Sequence, residues 1–147
     1  MRVNWVAIVL AGVADWILGA VWFTAFSNQW KAGLQMPQAE MERYAAHPNF
    51  WPYLASLVCS IGIAYVIARI LAYAQTHGVF RGISTGILVG FAAAAAMVTE
   101  MVFEVKPRPF ILISAGYPLI GCILMGIILG AWKPKASITT GTDVRST

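Results

Sequence analysis

Residues 11–23 read AGVADWILGAVWF, an apolar run of the kind that crosses a membrane, interrupted by a single acidic residue, Asp15. Extended both ways, the run reaches from Val3 to Phe26 before polar residues end it. A helix rises about 1.5 Å per residue and needs about 20 residues to cross a hydrocarbon core about 30 Å thick, so this stretch is long enough to span. Counting from Val3 sets Asp15 about 18 Å into the core, past the midplane and short of the far interface. A lone carboxylate at that depth costs several kcal/mol, so Asp15 should face a bundle interior and be protonated or paired with a group at its own depth.

Three more apolar runs follow, at 50–73, 79–103 and 110–132. Of the 147 residues, 59% are hydrophobic and 11% charged, and the mean hydropathy is +0.72, far from soluble globular usage. The expected fold is all-α: a polytopic membrane protein of four antiparallel transmembrane helices in a compact bundle. Residues 1–135 form that domain, and 136–147, rich in Ser, Thr and Gly, form a disordered cytoplasmic tail. The first run begins basic at Arg2, as a signal peptide would, but it is too long and aromatic at its far end, so it reads as an uncleaved helix. Trp22, Phe23, Phe26 and Trp30 stand where an aromatic belt meets the interface.

The first connection, 27–49, is the only long one. Within it, residues 37–44 (PQAEMERY) resemble a short helix with Pro in its first turn, lying at the interface. The connections near Gln75-Thr76-His77-Gly78 and at Glu104-Val105-Lys106-Pro107-Arg108-Pro109 are tight, which sets successive spans antiparallel. Arg2, Arg69, Arg81, Lys133, Lys135 and Arg145 gather on one side, against Lys31, Arg43, Lys106 and Arg108 on the other. This asymmetry puts both termini in the cytoplasm.

Small residues recur at four-residue spacing: Gly82, Gly86, Gly90 and Ala94 in the third span, Ser56, Ser60, Ala64 and Ala68 in the second, Gly126 and Gly130 in the fourth. Helices in lipid associate through close backbone approach, so such ridges mark contact faces. For Asp15, the same depth count on antiparallel neighbours offers Ser56, Ser60 and Tyr117 as hydrogen-bond partners. Ala7, Ala11 and Gly19 continue the small-residue face on which Asp15 lies. Structural polar glue and a proton relay are its two candidate roles.

A second polar constellation comprises Glu100, Glu104, Lys106 and Arg108. The two glutamates stand one helical turn apart, and Lys106 or Arg108 relieves their repulsion once the chain breaks at Pro107. It reads as a clasp at the membrane boundary or as an entrance for a polar solute.

No catalytic set, metal site or cofactor motif emerges. His47 and His77 fall in different connections, without Cys or carboxylate at ligand spacing. There is no phosphate loop, no nucleophile elbow and no haem-binding Cys pair. Cys59 and Cys122 both lie within spans, where free Cys acts as a small hydrophobe, so no disulfide is expected. The formal charge of +4 comes without a basic block or stripe, which argues against nucleic acid as a partner.

Asn4-Trp5, Gly19-Ala20-Val21-Trp22-Phe23 with Phe26 and Trp30, Phe103-Glu104-Val105-Lys106-Pro107, Ala115-Gly116-Tyr117, Met125-Gly126 and Gly130-Ala131-Trp132 together resemble the bacterial domain-of-unknown-function family 1761 over nearly the whole chain. The resemblance implies a compact four-span membrane protein of the bacterial inner membrane and attaches no activity. Phe23 stands where that family usually carries Tyr, and Asp15 where its first span is apolar.

Three classes of function are open. The leading one is a structural or accessory protein, a subunit of a membrane complex or a small homo-oligomer, with the bilayer and other membrane subunits or itself as partners. The alternative is a small-solute or ion transporter or channel, formed by an oligomer and using Asp15 and the Glu100/Glu104 cluster. One protomer is too thin for much of a pore, and its halves show no internal repeat. A membrane enzyme comes third, for want of a nucleophile and base.

Overall fold

The computed structural model describes residues 3–47, 49–75 and 78–132. Arg2, His77, Lys133, Lys135, Arg145 and the 136–147 tail lie outside the described residues. Six helices form: α1 (Trp5–Ala25), α2 (Ser27–Leu34), α3 (Gln38–Ala46), α4 (Trp51–Tyr73), α5 (Val79–Phe103) and α6 (Arg108–Ala131). Four of them, α1, α4, α5 and α6, are long and apolar enough to cross a membrane, which makes this a multi-pass membrane protein.

The spans start where local chemistry frees a helix to begin. The Asn4 side chain accepts hydrogen bonds from the Val6 and Ala7 amides at 3.1 and 3.4 Å, satisfying two of the four donors that a helix N-terminus leaves open. Asn49 does the same for the Trp51 amide at 3.0 Å, and Pro52 fits the first turn of α4. Gly78 has φ +118°, a conformation open to glycine, and its amide donates to the Gly130 carbonyl at 3.0 Å. The start of α5 is thereby tied to the end of α6.

Helix α6 is the hub. It packs against α1, α2, α4 and α5, whereas α1 and α5 do not touch. Residue pairings show α1 antiparallel to both α4 and α6, with Gly12 on Ile61 and Gly19 on Tyr117, so α4 and α6 run parallel to each other. Where α1, α4 and α6 meet, an apolar core forms from Ile8, Ala11, Ala64, Ile67, Cys122 and Met125. Helix α5 joins from one flank. A Cβ on Gly82 would collide with the Gly126 carbonyl oxygen, and one on Gly126 with the Gly82 carbonyl oxygen. The Cα hydrogens of the two glycines thus point at each other's carbonyls, as in Cα–H···O contacts. One turn on, a Cβ at Gly86 would stand 2.9 Å from Ile123 Cα, and at Gly90 2.9 Å from Leu119 Cα.

Two features depart from the sequence reading. The long connection holds two helices, and the unforeseen one, α2, follows α1 after a break at Phe26. Gly33 of α2 lies directly on the Phe110 side chain, and Trp30 stacks on the same ring at 6.5 Å between centroids. The aromatic residues at this end are also more than a belt facing lipid. Phe23 packs edge-on to Trp30 at 5.4 Å and tilted to Tyr117 at 5.3 Å, so the cluster fastens the α1–α2 corner onto α6.

Helix α5 ends in a Schellman turn, with the Lys106 amide on the Met101 carbonyl at 3.0 Å and the Val105 amide on the Val102 carbonyl at 3.1 Å. The residue that must turn left-handed is Val105, φ +57°, where a β-branched side chain is strained. Val105→Gly is expected to raise stability by about 1 kcal/mol. An unchanged or lower melting temperature in detergent would show that the strain is relieved elsewhere.

Candidate functional site

Below the apolar core, toward the aromatic end of α6, the bundle turns polar at Asp15 and Ser60. Asp15 is 4% exposed, Ser60 5%. The Ser60 hydroxyl donates to Asp15 Oδ2 at 2.7 Å, and the Tyr117 hydroxyl donates to the same oxygen at 3.1 Å. Three helices, α1, α4 and α6, each contribute one member. Oδ1 accepts no hydrogen bond among the described residues; it lies against Gly121 of α6, where a Cβ would strike it. Small residues on α6 are what let a carboxyl reach this depth between helices.

The structure does not bring Ser56 into this set. Its hydroxyl donates to the Tyr53 carbonyl at 2.9 Å and accepts from the Trp16 indole at 3.1 Å. Ser56 stands one turn along α4 from Ser60, and the next residue of α1, Trp16, takes it.

Beside the carboxyl lies a cleft of about 160 Å³ between α4 and α6. Asp15, Ser60 and Tyr117 form its polar part, and Ser56 and Cys59, both exposed, lie where it reaches the bundle surface. Ile63, Pro118, Met125 and Cys122 make the rest of its wall. Neither thiol is in a disulfide. Among the described residues, no Lys, Arg, His or second carboxyl lines this cleft.

Pro118 adds to the local character of α6. It lacks the amide that would bond the Ser114 carbonyl, and in the same turn the Trp22 indole donates to the Ile113 carbonyl at 3.0 Å. That bond goes to a different carbonyl from the one Pro118 leaves free. The sequence reading passed over Pro118; a proline in the middle of the fourth apolar run was the available signal.

The Glu100, Glu104, Lys106 and Arg108 constellation sits elsewhere, at the far end of α5. Lys106 meets Glu104 at 3.8 Å and lies 5.9 Å from the Phe110 ring centroid. Glu100 and Arg108 are exposed and in no ion pair among the described residues. An exposed pair of this kind contributes little to stability. At the opposite end, the Arg69 guanidinium bonds the Tyr73 hydroxyl and lies over the Tyr65 and Tyr73 rings at 5.8 and 4.7 Å, remote from Asp15. Among the described residues, no three His, Cys, Asp or Glu side chains gather as a metal ion would need.

No curated protein and no solved structure matches the chain. A family model does, over residues 6–130, which takes in all four spans and every member of the Asp15 set. The chain belongs to the family described as Protein of unknown function (DUF1761).

Proposed function

We propose that the protein is a structural or accessory component of the bacterial cytoplasmic membrane, a subunit of a larger membrane complex or a small homo-oligomer, and that it performs no catalysis. The observation that supports this reading is α3. It is a nine-residue helix with no buried residue, and among the described residues it packs against no other helix. Isolated helices shorter than about 12–15 residues are marginal in water, and the described residues give α3 no support, which fits a helix that rests on a partner. The glycine ridges fit the same reading: those of α5 and α6 are occupied by each other, leaving the polar α3 as the element without a mate.

The alternative, an oligomeric transporter or channel using Asp15 together with Glu100 and Glu104, has one favourable feature, the cleft beside Asp15. Its two polar clusters are separate within a protomer, because Glu100 sits on α5 and Glu104 caps its end, and α5 does not touch α1.

A photo-crosslinker placed at Tyr44, which is exposed on α3, tests the proposal. We expect one discrete protein adduct, either a second copy or another membrane subunit, matched by a native mass in mild detergent above that of the monomer. Adducts to lipid alone, with a monomeric mass, would overturn it. Topology follows from the basic-residue asymmetry: cysteines introduced between 27 and 49 should be labelled by an impermeant maleimide on intact cells, and cysteines in the tail should not. Labelling of the tail alone would reverse the orientation.

A further inference from the structure

We propose that the cleft between α4 and α6 is a binding site for a small amine, held as an ammonium ion against Asp15. The site has three properties that together select this class of ligand. Its acid is almost wholly enclosed, with both hydroxyl donors spent on Oδ2 and none on Oδ1. The groups that face the carboxyl are Ser60 from α4 and Tyr117 from α6, with Cys59 and Cys122 as the remaining titratable groups on the cleft wall. No cationic side chain lines it among the described residues, so among them the charge of an ionised Asp15 has no counterpart.

A carboxyl in a span must be neutralised by a proton or by a cation. A lipid-soluble amine can enter uncharged and supply both states. The O–H bond of the Asp15 carboxyl breaks, an N–H bond forms on the amine, and the resulting carboxylate–ammonium pair is neutral as a whole, as the acid and free amine were before. No net charge crosses the bilayer, and no other reactant is required. The new N–H donors have Oδ1 to meet, the acceptor that the protein leaves unused.

Size and wall chemistry complete the fit. A volume of about 160 Å³ is close to that of engineered cavities, about 150 Å³, that bind benzene. Ile63, Pro118 and Met125 offer apolar contact to a ligand body on that scale. The ligand is therefore a primary amine carrying a compact apolar group, and the site is independent of whether α3 has a protein partner.

Benzylamine is the probe, with benzyl alcohol as its uncharged counterpart, on the full chain in mild detergent. We expect saturable calorimetric binding of benzylamine, weaker by about tenfold or more for benzyl alcohol and for Asp15→Asn, since a hydrogen bond to a charged group is what each loses. Benzylamine should also slow N-ethylmaleimide labelling of the exposed Cys59, read by mass on the unmodified chain. Cys59→Phe, which fills the cleft without touching the Asp15 hydrogen bonds, should abolish binding and serves if Asp15→Asn fails to fold. Absence of saturable binding, equal binding of amine and alcohol, full binding by a folded Asp15→Asn or by Cys59→Phe, or unslowed Cys59 labelling would each overturn the proposal.

Discussion

Gly86→Leu is expected to destabilise the purified protein by about 1–3 kcal/mol or more, the cost of forcing extra carbons into a packed contact. The reason is what stands opposite. A Cβ at Gly86 already collides with the Cys122 carbonyl oxygen and stands 2.9 Å from Ile123 Cα. These are backbone atoms, which cannot swing aside as a flexible side chain can. The whole of α5 would have to move away from α6, and with it the Gly82–Gly126 contacts one turn below. Gly62 supplies the control, since a Cβ there has nothing within 4 Å. Gly62→Leu should melt like the unaltered protein in detergent. Equal melting of the Gly86 and Gly62 variants would show that α5 does not depend on close approach to α6.

The second large effect is expected at Asp15. Asp15→Leu leaves the buried Ser60 hydroxyl without its acceptor and leaves Tyr117 only the longer bond to the residue-15 carbonyl, at 3.4 Å; a buried hydroxyl left unpaired costs about 1–3 kcal/mol. Partners found by the loosened helices in lipid pull that figure toward its lower end. The branched side chain must also fit against Gly121, whose bare Cα admits the flat carboxyl. Asp15→Asn keeps an acceptor oxygen and nearly the same shape, so it should retain most of the stability. Thermal melts of the two variants side by side decide the matter: if they coincide, the hydroxyls do not rely on Asp15.

The four spans were legible because hydropathy is an additive property of a stretch of chain; each run in the sequence coincides with a helix to within two or three residues at either end. Helix α2 was not legible. Its composition is polar, and its helical conformation goes with contacts made far away in sequence, Gly33 and Trp30 on Phe110. The three-residue spacing of Trp30 and Gly33 put them on one face, but nothing nearby named the surface they would meet. At the candidate site, counting residues gave depth, and depth brought Ser60 and Tyr117 to Asp15. The count was good to about one turn: Ser56, on the same face of α4 as Ser60 but about 6 Å further along the axis, bonds Trp16 and Tyr53. The Glu104–Lys106 pair shows the same limit: adjacency in sequence suggested either cation, and the left-handed turn at Val105 selects Lys106.

The hub position of α6 also sets an order of assembly. It is the last of the four spans to be synthesised, yet three of the others depend on it for neighbours. Until it enters the bilayer, α1 and α4 can pair through Gly12 and Ile61, with Ser60 as the sole hydroxyl then available to Asp15 from the final set. Helix α5 meanwhile has its three glycines facing lipid. Arrival of α6 delivers Tyr117, Gly121 and the matching glycines in a single step, so the polar pairing of Asp15 and the seating of α5 are completed together.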